Sequence, residues 1–176
     1  MSIVLVTGSC GLVGSESVKF FASMGFDIIG IDNNLRFNFF GKDGDTTWVK
    51  NDLIKKYKNY THKNVDIRNF SALEKIFKKN KNSIKLIIHA AAQPSHDWAK
   101  KKPFVDFSIN ALGTLNLLNL TKKYSNNSSF IFMSTNKVYG DNPNLLPLKE
   151  LNSRWEVSKK HKHFKGISEN MSIDNC

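Results

Sequence analysis

An α/β fold built on a doubly wound parallel sheet is predicted for this chain by three observations. Apolar runs of strand length alternate with segments of helical period. The run Ile84 to His89 is nearly all apolar, as a central parallel strand covered on both faces should be. The first run, Ile3-Val4-Leu5-Val6-Thr7, leads into glycines at 8, 11 and 14 where a helical pattern begins. Gly8 permits a tight turn out of the strand, Gly11 lets the main chain approach a phosphate, and Gly14 lets the following helix lie close on the sheet. The helix N-terminus adds unpaired N–H groups and a partial positive charge. A second run, Ile28-Ile29-Gly30-Ile31-Asp32, places an acid about 20 residues past the turn, where it meets an adenosine ribose. Together these read as a nucleotide-binding βαβ unit of Rossmann type with a dinucleotide pyrophosphate over the glycine turn.

The elements follow in order. The first strand runs from about Ile3 to Thr7, and the first helix from about Gly11 to Met24, with Val13, Ser17, Phe20, Phe21 and Met24 near helical spacing. The second strand covers Asp27 to Asp32. Asn33 to Gly44, rich in Asn and Phe, reads as an irregular loop before a short helix over Trp48 to Tyr57. A third strand, about Tyr60 to Val65, ends at Asp66-Ile67. The next helix opens on Ser71-Ala72-Leu73-Glu74, a capping-box pattern, and turns Leu73, Ile76 and Phe77 inward. After the fourth strand, Ile84 to His89, come a long helix over Phe104 to Tyr124 and a fifth strand over Ser129 to Thr135. Beyond Thr135 no periodicity persists, and the chain reads as loop with short helical turns. A structureless stretch of that length is uncommon inside a compact domain and suggests a fold truncated after its fifth strand. Residues 1–140 therefore form an incomplete nucleotide-binding domain, followed by an irregular segment, 141–176.

Composition narrows the class. A chain of 176 residues with 40% hydrophobic content suits one folded domain. No apolar stretch reaches the roughly 20 residues that span a bilayer, and no basic region precedes an apolar one at the N-terminus, so a cytoplasmic protein without membrane contact is expected. The formal charge of +11 comes from scattered lysines such as Lys55-Lys56, Lys78-Lys79 and Lys100-Lys101-Lys102. With no Arg-rich block or aromatic platform, they read as a solvated surface and not as a nucleic-acid stripe. Cys10 and Cys176 read as free thiols. His161-Lys162-His163, lacking neighbouring carboxylates or cysteines, makes a poor metal site, and none is expected.

Six segments in order resemble the extended short-chain dehydrogenase/reductase family, which contains NAD-dependent nucleotide-sugar epimerases and dehydratases. Thr7-Gly8-Ser9-Cys10-Gly11-Leu12-Val13-Gly14 is similar to its TGxxGxxG, Asp32 to its ribose acid, and Asp66-Ile67 to its adenine-side pair. His89-Ala90-Ala91-Ala92 resembles its HxAA, Asn110-Ala111-Leu112-Gly113-Thr114 its NxxGT, and Ser134 to Gly140 the segment carrying an active-site Ser or Thr. Within the family, Gly30 to Arg36 with Phe39-Phe40-Gly41, Gln93 to Trp98, and Thr135 to Asp141 with Arg154-Trp155-Glu156 resemble the CDP-paratose 2-epimerase subfamily.

The resemblance implies NAD as cofactor and a nucleotide-sugar, preferably a CDP-sugar, as substrate, with inversion at sugar carbon 2 through a transient ketone. It assigns cofactor contacts to Gly8, Cys10, Gly11, Leu12, Gly14, Asp32, Asn33, Asn34, Arg36, Asp66, Ile67, Ala90, Ala91, Ala92 and Asn110. Thr135 takes the catalytic hydroxyl position, and Gln93, Ser95 and His96 follow the fourth strand toward sugar or nicotinamide; His96 also reads as an ordinary hydrogen-bonded loop histidine. Arg36 suits a 2′-phosphate, but Asp32 would repel one, which favours NAD over NADP. Phe107, Leu112 and Leu115 read as core or as a subunit interface, since relatives often form homo-oligomers through this helix. The family's general base is a Tyr-x-x-x-Lys pair, and this sequence contains none. The match covers roughly the N-terminal half of a typical member. The expectation is a fragment whose segment 141–176 lies on the substrate side, binding NAD weakly or not at all and not turning over. A 4-epimerase or 4,6-dehydratase of the same group and a catalytically silent NAD-binding module are the alternative readings.

Overall fold

In the computed structural model, residues 2–135 and 137–173 are described; Cys176 lies outside them. The chain forms two compact units that divide between Met133 and Ser134.

The first unit is a parallel sheet of β1 (Ile3–Thr7), β2 (Asp27–Ile31), β3 (Tyr60–Lys63), β4 (Ile84–His89) and β5 (Ser129–Phe132), in the order β3-β2-β1-β4-β5. The order reverses between β1 and β4, which opens a crevice at the carboxyl ends of those strands. Strand alternation builds two cores. Leu5, Ile29, Ile31 and Ile87 face α4 (Phe70–Asn80) and α7 (Gly113–Tyr124), meeting Leu73, Phe77, Leu117 and Leu120. Val4, Val6, Ile28 and Ile88 pack on the other side with Val18 of α1 (Leu12–Ser23) and Leu53 of α3 (Thr47–Lys56). Each such fully buried side chain contributes about 1.5–3 kcal/mol of transfer free energy.

Several elements differ from their sequence reading, each for a local reason. The buried face of α1 is Gly14, Ser15, Val18 and Ala22, whereas Val13, Phe20 and Met24 are exposed. Gly14 must touch the sheet, so residues four and eight further on are carried inward with it. The Asn33 to Gly44 stretch is helical: α2 (Leu35–Phe40) leads into a 3-10 turn, Gly41–Gly44. Leu35 and Phe39, four apart, pack on the core, a spacing too short to stand out among surrounding polar residues. The capping box at Ser71 does not form. Helix α4 begins at Phe70, where the Asn69 side chain accepts the Ala72 N–H at 3.0 Å. Glu74 instead ties α4 to α7 by accepting Lys123 Nζ and Tyr124 Oη, each at 2.9 Å.

The long helix is three pieces, α6 (Pro103–Phe107), a π turn (Ser108–Leu112) and α7, and it is preceded by an unexpected short helix, α5 (His96–Lys101). Phe107, Leu112 and Leu115 are 67%, 44% and 52% exposed, so they are not core. Strand β5 ends at Phe132, three residues earlier than the pattern suggests, and is largely exposed.

The second unit is not wholly irregular. Strands β6 (Leu148–Glu150) and β7 (Trp155–Val157) pair antiparallel, and the 3-10 turn Asn142–Leu145 precedes them. Three-residue strands are too short to show a period of two. Tyr139 Oη donates to Ser168 O at 3.1 Å, and Asn142 Nδ2 to Ser172 O at 2.7 Å. Among the described residues no helix is long and apolar enough to cross a membrane.

Candidate functional site

The crevice beside β1 holds a cleft of about 250 Å³. Its floor is the glycine turn. Gly8 leaves β1 at φ 66°, and its N–H donates to Ile31 O at 2.8 Å. A Cβ on Gly14 would sit 2.0 Å from Gly8 O, so α1 reaches the turn only without a side chain there. No side chain caps α1 and no acid lies in its first turn, which leaves its amino end open to an anion. Gly8, Gly11, Leu12, Gly14, Asp32, Asn33, Arg36, Asp66, Ile67, Ala90, Ala91 and Ala92, scattered through the sequence, all line this cleft.

Asp32, just past β2, is held by two backbone donors: Cys10 N to Oδ2 at 3.0 Å and Asn34 N to Oδ1 at 2.8 Å. Each oxygen keeps a lone pair for a further hydroxyl donor. Cys10 itself turns away, into a smaller cavity shared with Asn34, Lys50 and His62. Burial, and then the Asp32 charge, push its thiol up to about 11. Its neighbour Ser9 is buried and lies 3.0 Å from the Tyr60 hydroxyl, whose pKa burial likewise raises.

Other predicted residues serve the scaffold. Asn34 adopts a left-handed conformation, φ 54°, and its amide reaches forward to fold the segment that follows. Nδ2 donates to Asp45 Oδ1 at 2.8 Å, while Oδ1 accepts Thr46 N at 3.0 Å. Asp66 receives Arg68 NH2 at 2.6 Å and Asn33 Nδ2 at 3.0 Å on one oxygen, and Arg68 N and Nε, both 2.9 Å, on the other. Burial works to raise its pKa, but these Arg68 and Asn33 bonds outweigh it and hold the carboxyl below the usual range.

Gln93, buried behind the cleft, spends its amide on the chain: Oε1 accepts Ser95 N at 2.6 Å, and Nε2 donates to Ser95 O at 2.9 Å and Asp106 Oδ1 at 2.8 Å. Asn110, in the π turn, clamps the Gln93 peptide from the other side, accepting its N–H at 2.9 Å and donating to its carbonyl at 3.1 Å. A π turn widens the helix and re-aims one residue, here Asn110. Ser95 Oγ caps α5 by accepting Trp98 N at 3.3 Å, and His96 is exposed. Gln93, Ser95 and Asn110 thus fix the loop after β4, and none of them lines the cleft.

Comparison with known proteins bears on this arrangement. The family model described as the NAD dependent epimerase/dehydratase family matches residues 4–162. The chain belongs to this family. It is similar to a CDP-paratose 2-epimerase of Salmonella typhi, 35% identical over 138 residues that cover 78% of this chain and 38% of the relative. A UDP-glucose 4-epimerase of Caenorhabditis elegans is 31% identical over 173 residues, 97% of this chain and 48% of the relative. Among solved structures, the UDP-glucose 4-epimerase of Thermus thermophilus, a complex with NAD, superposes with a TM-score of 0.63 at 25% identity, covering 98% of this chain and 44% of that one. The chain thus spans less than half the length of these relatives.

Within this NAD-dependent epimerase/dehydratase chain, Thr135 belongs to the second unit, where it is exposed and its hydroxyl accepts Lys137 N at 3.1 Å. Sequence reasoning missed Leu35, Phe39, Val65, Pro94 and Ile109 in the cleft wall. The signal for Val65 was its place two residues beyond the end of β3, whereas the single spacing of four between Leu35 and Phe39 was too short to serve as one. It also missed Asp106, which joins Gln93 to Asn110, donated to by Asn110 Nδ2 at 3.1 Å.

Proposed function

We propose that this chain supplies the NAD-binding part, residues 1–140, and the opening of the substrate side, 141–176, of a nucleotide-sugar epimerase that inverts carbon 2 of a CDP-sugar. The observation that carries the reading is the cradle: a glycine turn with no room for a Cβ at Gly14, an uncapped helix end above it, and Asp32 with lone pairs to spare at its rim. Those features fit a dinucleotide. The amino end of α1 and the Gly11 main chain hold the pyrophosphate, and Asp32 accepts the adenosine ribose hydroxyls. The Asp32 charge repels a 2′-phosphate, which selects NAD over NADP. Ile67, Val65 and the three alanines after β4 give the apolar wall.

NAD, when bound, supplies a hydride acceptor and donor for the sugar carbon. Thr135 is assigned to hold the reacting sugar oxygen, and exposed His96 to face the sugar. Gln93 and Ser95 act through the loop they shape. The CDP-sugar assignment is supported by the Salmonella relative and by the Gln93 to Trp98 and Thr135 to Asp141 segments. A UDP-sugar 4-epimerase is the second reading, favoured by the longer match to the C. elegans relative. A cytoplasmic place in polysaccharide precursor synthesis and self-association of the whole enzyme through the exposed apolar stripe Phe107, Leu112 and Leu115 accord with the first reading.

Calorimetric titration with NAD tests the cofactor assignment. Weak, saturable one-to-one binding is expected, and Asp32→Ala should lower the affinity at least about tenfold by removing a charge-assisted hydrogen-bond acceptor. Equal affinity in the two proteins, or a preference for NADP, overturns the assignment. Proton NMR of the whole enzyme of which this chain is proposed to be a part, with CDP- and UDP-sugars, reads the carbon: inversion at C4 of the UDP-sugar replaces the first reading by the second.

A further inference from the structure

Helix α2 lies along the cofactor cleft, its Leu35 and Phe39 only partly buried against the core. It has six residues, none of them buried, yet it presents Leu35, Arg36 and Phe39 to the cleft. Its amino end is pinned by the Asn34 amide. Near its carboxyl end, where helix carbonyls lack intrahelical partners, the Phe39 carbonyl accepts the indole N–H of Trp98 at 3.1 Å. The Phe39 and Trp98 rings also pack, their centroids 4.9 Å apart and their planes inclined at 56°. Trp98 belongs to α5, whose start is set by Ser95 and, through Ser95, by buried Gln93. A line of bonds thus joins the segment after β4, which carries Pro94 in the cleft, to the segment after β2, which carries Phe39 in the cleft. Trp98 itself does not line the cleft.

We propose that Trp98 is a positioning residue for the cofactor: its ring and indole N–H clasp Phe39, hold α2 across the cleft, and so set NAD affinity without touching NAD. The inference rests on the NAD reading above. A helix with no buried residue opens at low free-energy cost, and apparent affinity falls with the fraction of molecules in the competent pose. The clasp raises that fraction.

The test uses the full chain and NAD. Trp98→Phe keeps a ring and loses the N–H; Trp98→Ala loses both. Dissociation constants are expected to rise about fivefold and about twentyfold, respectively, with thermal midpoints close to that of the parent, because no residue of α2 is fully buried. A protein with Trp48→Phe and Trp155→Phe keeps Trp98 as its sole indole. Its emission should change on NAD addition and saturate together with the calorimetric heat. If NAD binds the parent but both Trp98 variants bind it equally well, or the sole-indole emission is unmoved, the clasp is overturned and the NAD reading stands. If NAD does not bind the parent at all, both fall. A variant with a lowered thermal midpoint and unchanged affinity also counts against the clasp.

Discussion

Gly14→Ala is expected to leave the first unit unfolded or nearly so, with a loss of more than about 4 kcal/mol read as a collapse of the urea midpoint. The added Cβ would stand 2.0 Å from Gly8 O, 2.7 Å from Gly8 C and 3.1 Å from Ser9 Cα, all main-chain atoms. No side chain is available to swing aside. Relief requires either α1 to lift off the sheet, exposing Val18 and Ala22, or the turn to move and break the Gly8 N–H bond to Ile31 O. Gly8→Ala faces a similar obstacle, with three main-chain atoms of Ala90 and Ala91 at 2.8 Å and a left-handed φ besides. Gly11→Ala is the informative contrast. Its Cβ would meet only Gly8 O at 3.3 Å, so the variant folds, but the methyl projects where Gly11 lines the cleft. It should keep its urea midpoint within about 1 kcal/mol of the parent and lose NAD affinity. If Gly14→Ala unfolds no more easily than Gly11→Ala, the close helix-to-turn packing is not what the glycine secures.

That contrast shows how the sequence was and was not legible. Spacing alone marks the three glycines and Asp32 as one device, because a tight turn, a close helix and a strand-end acid each have a local signature. It does not say that Gly14 is a packing glycine while Gly11 is a surface one; that depends on where α1 lies. The same limit applies to side-chain duty. Asn34, Asp66, Gln93 and Asn110 all belong to segments the family pattern singles out, yet their polar atoms are engaged with the chain itself. The longer of these bonds join residues 11 to 33 positions apart and leave no periodic trace. Helix α2 escaped notice for a related reason. It gains its place from Asn34 and Trp98, which are tertiary partners, and not from propensity or a broad apolar face. The short hairpin of the second unit has too few residues for any pattern to register.

Acid should destabilise the first unit through His89, in a window set by burial. His89 closes β4, is 2% exposed, and has both ring nitrogens occupied: Nδ1 lies 2.7 Å from Thr7 Oγ1 and Nε2 2.9 Å from Thr114 Oγ1. The surrounding bonds assign the protons. Thr114 donates its hydroxyl hydrogen to Asn110 O at 2.6 Å, so toward His89 it accepts, and Nε2 carries the hydrogen. Nδ1 is then the acceptor for Thr7, whose oxygen in turn receives Ala91 N at 3.3 Å. Only a neutral imidazole fits this rail, and burial pushes its pKa from 6.5 down to about 4. In the unfolded chain the imidazole takes a proton near pH 6.5, while in the folded protein it stays neutral until about pH 4. The unfolded state therefore binds more protons between those values, and stability present above pH 6.5 is lost as pH falls toward 4. A depression of that size corresponds to about 3 kcal/mol. His62 is lowered by burial in the same direction, so the experiment subtracts it. Urea unfolding at pH 7 and pH 4.5 should show a steep loss in the parent and in His62→Asn, and a much shallower one in His89→Gln, which starts less stable because the rail is broken. An unchanged pH dependence in His89→Gln would mean that the rail tolerates a charged imidazole. The fixed ring joins the end of β1, the end of β4 and the start of α7, where Thr114 in turn bonds Asn110 O, so its protonation should also loosen the clamp on the Gln93 loop. In the folded parent the ring takes a proton only near pH 4, so NAD affinity is expected to hold down to that pH and to fall there, with no such fall in His89→Gln.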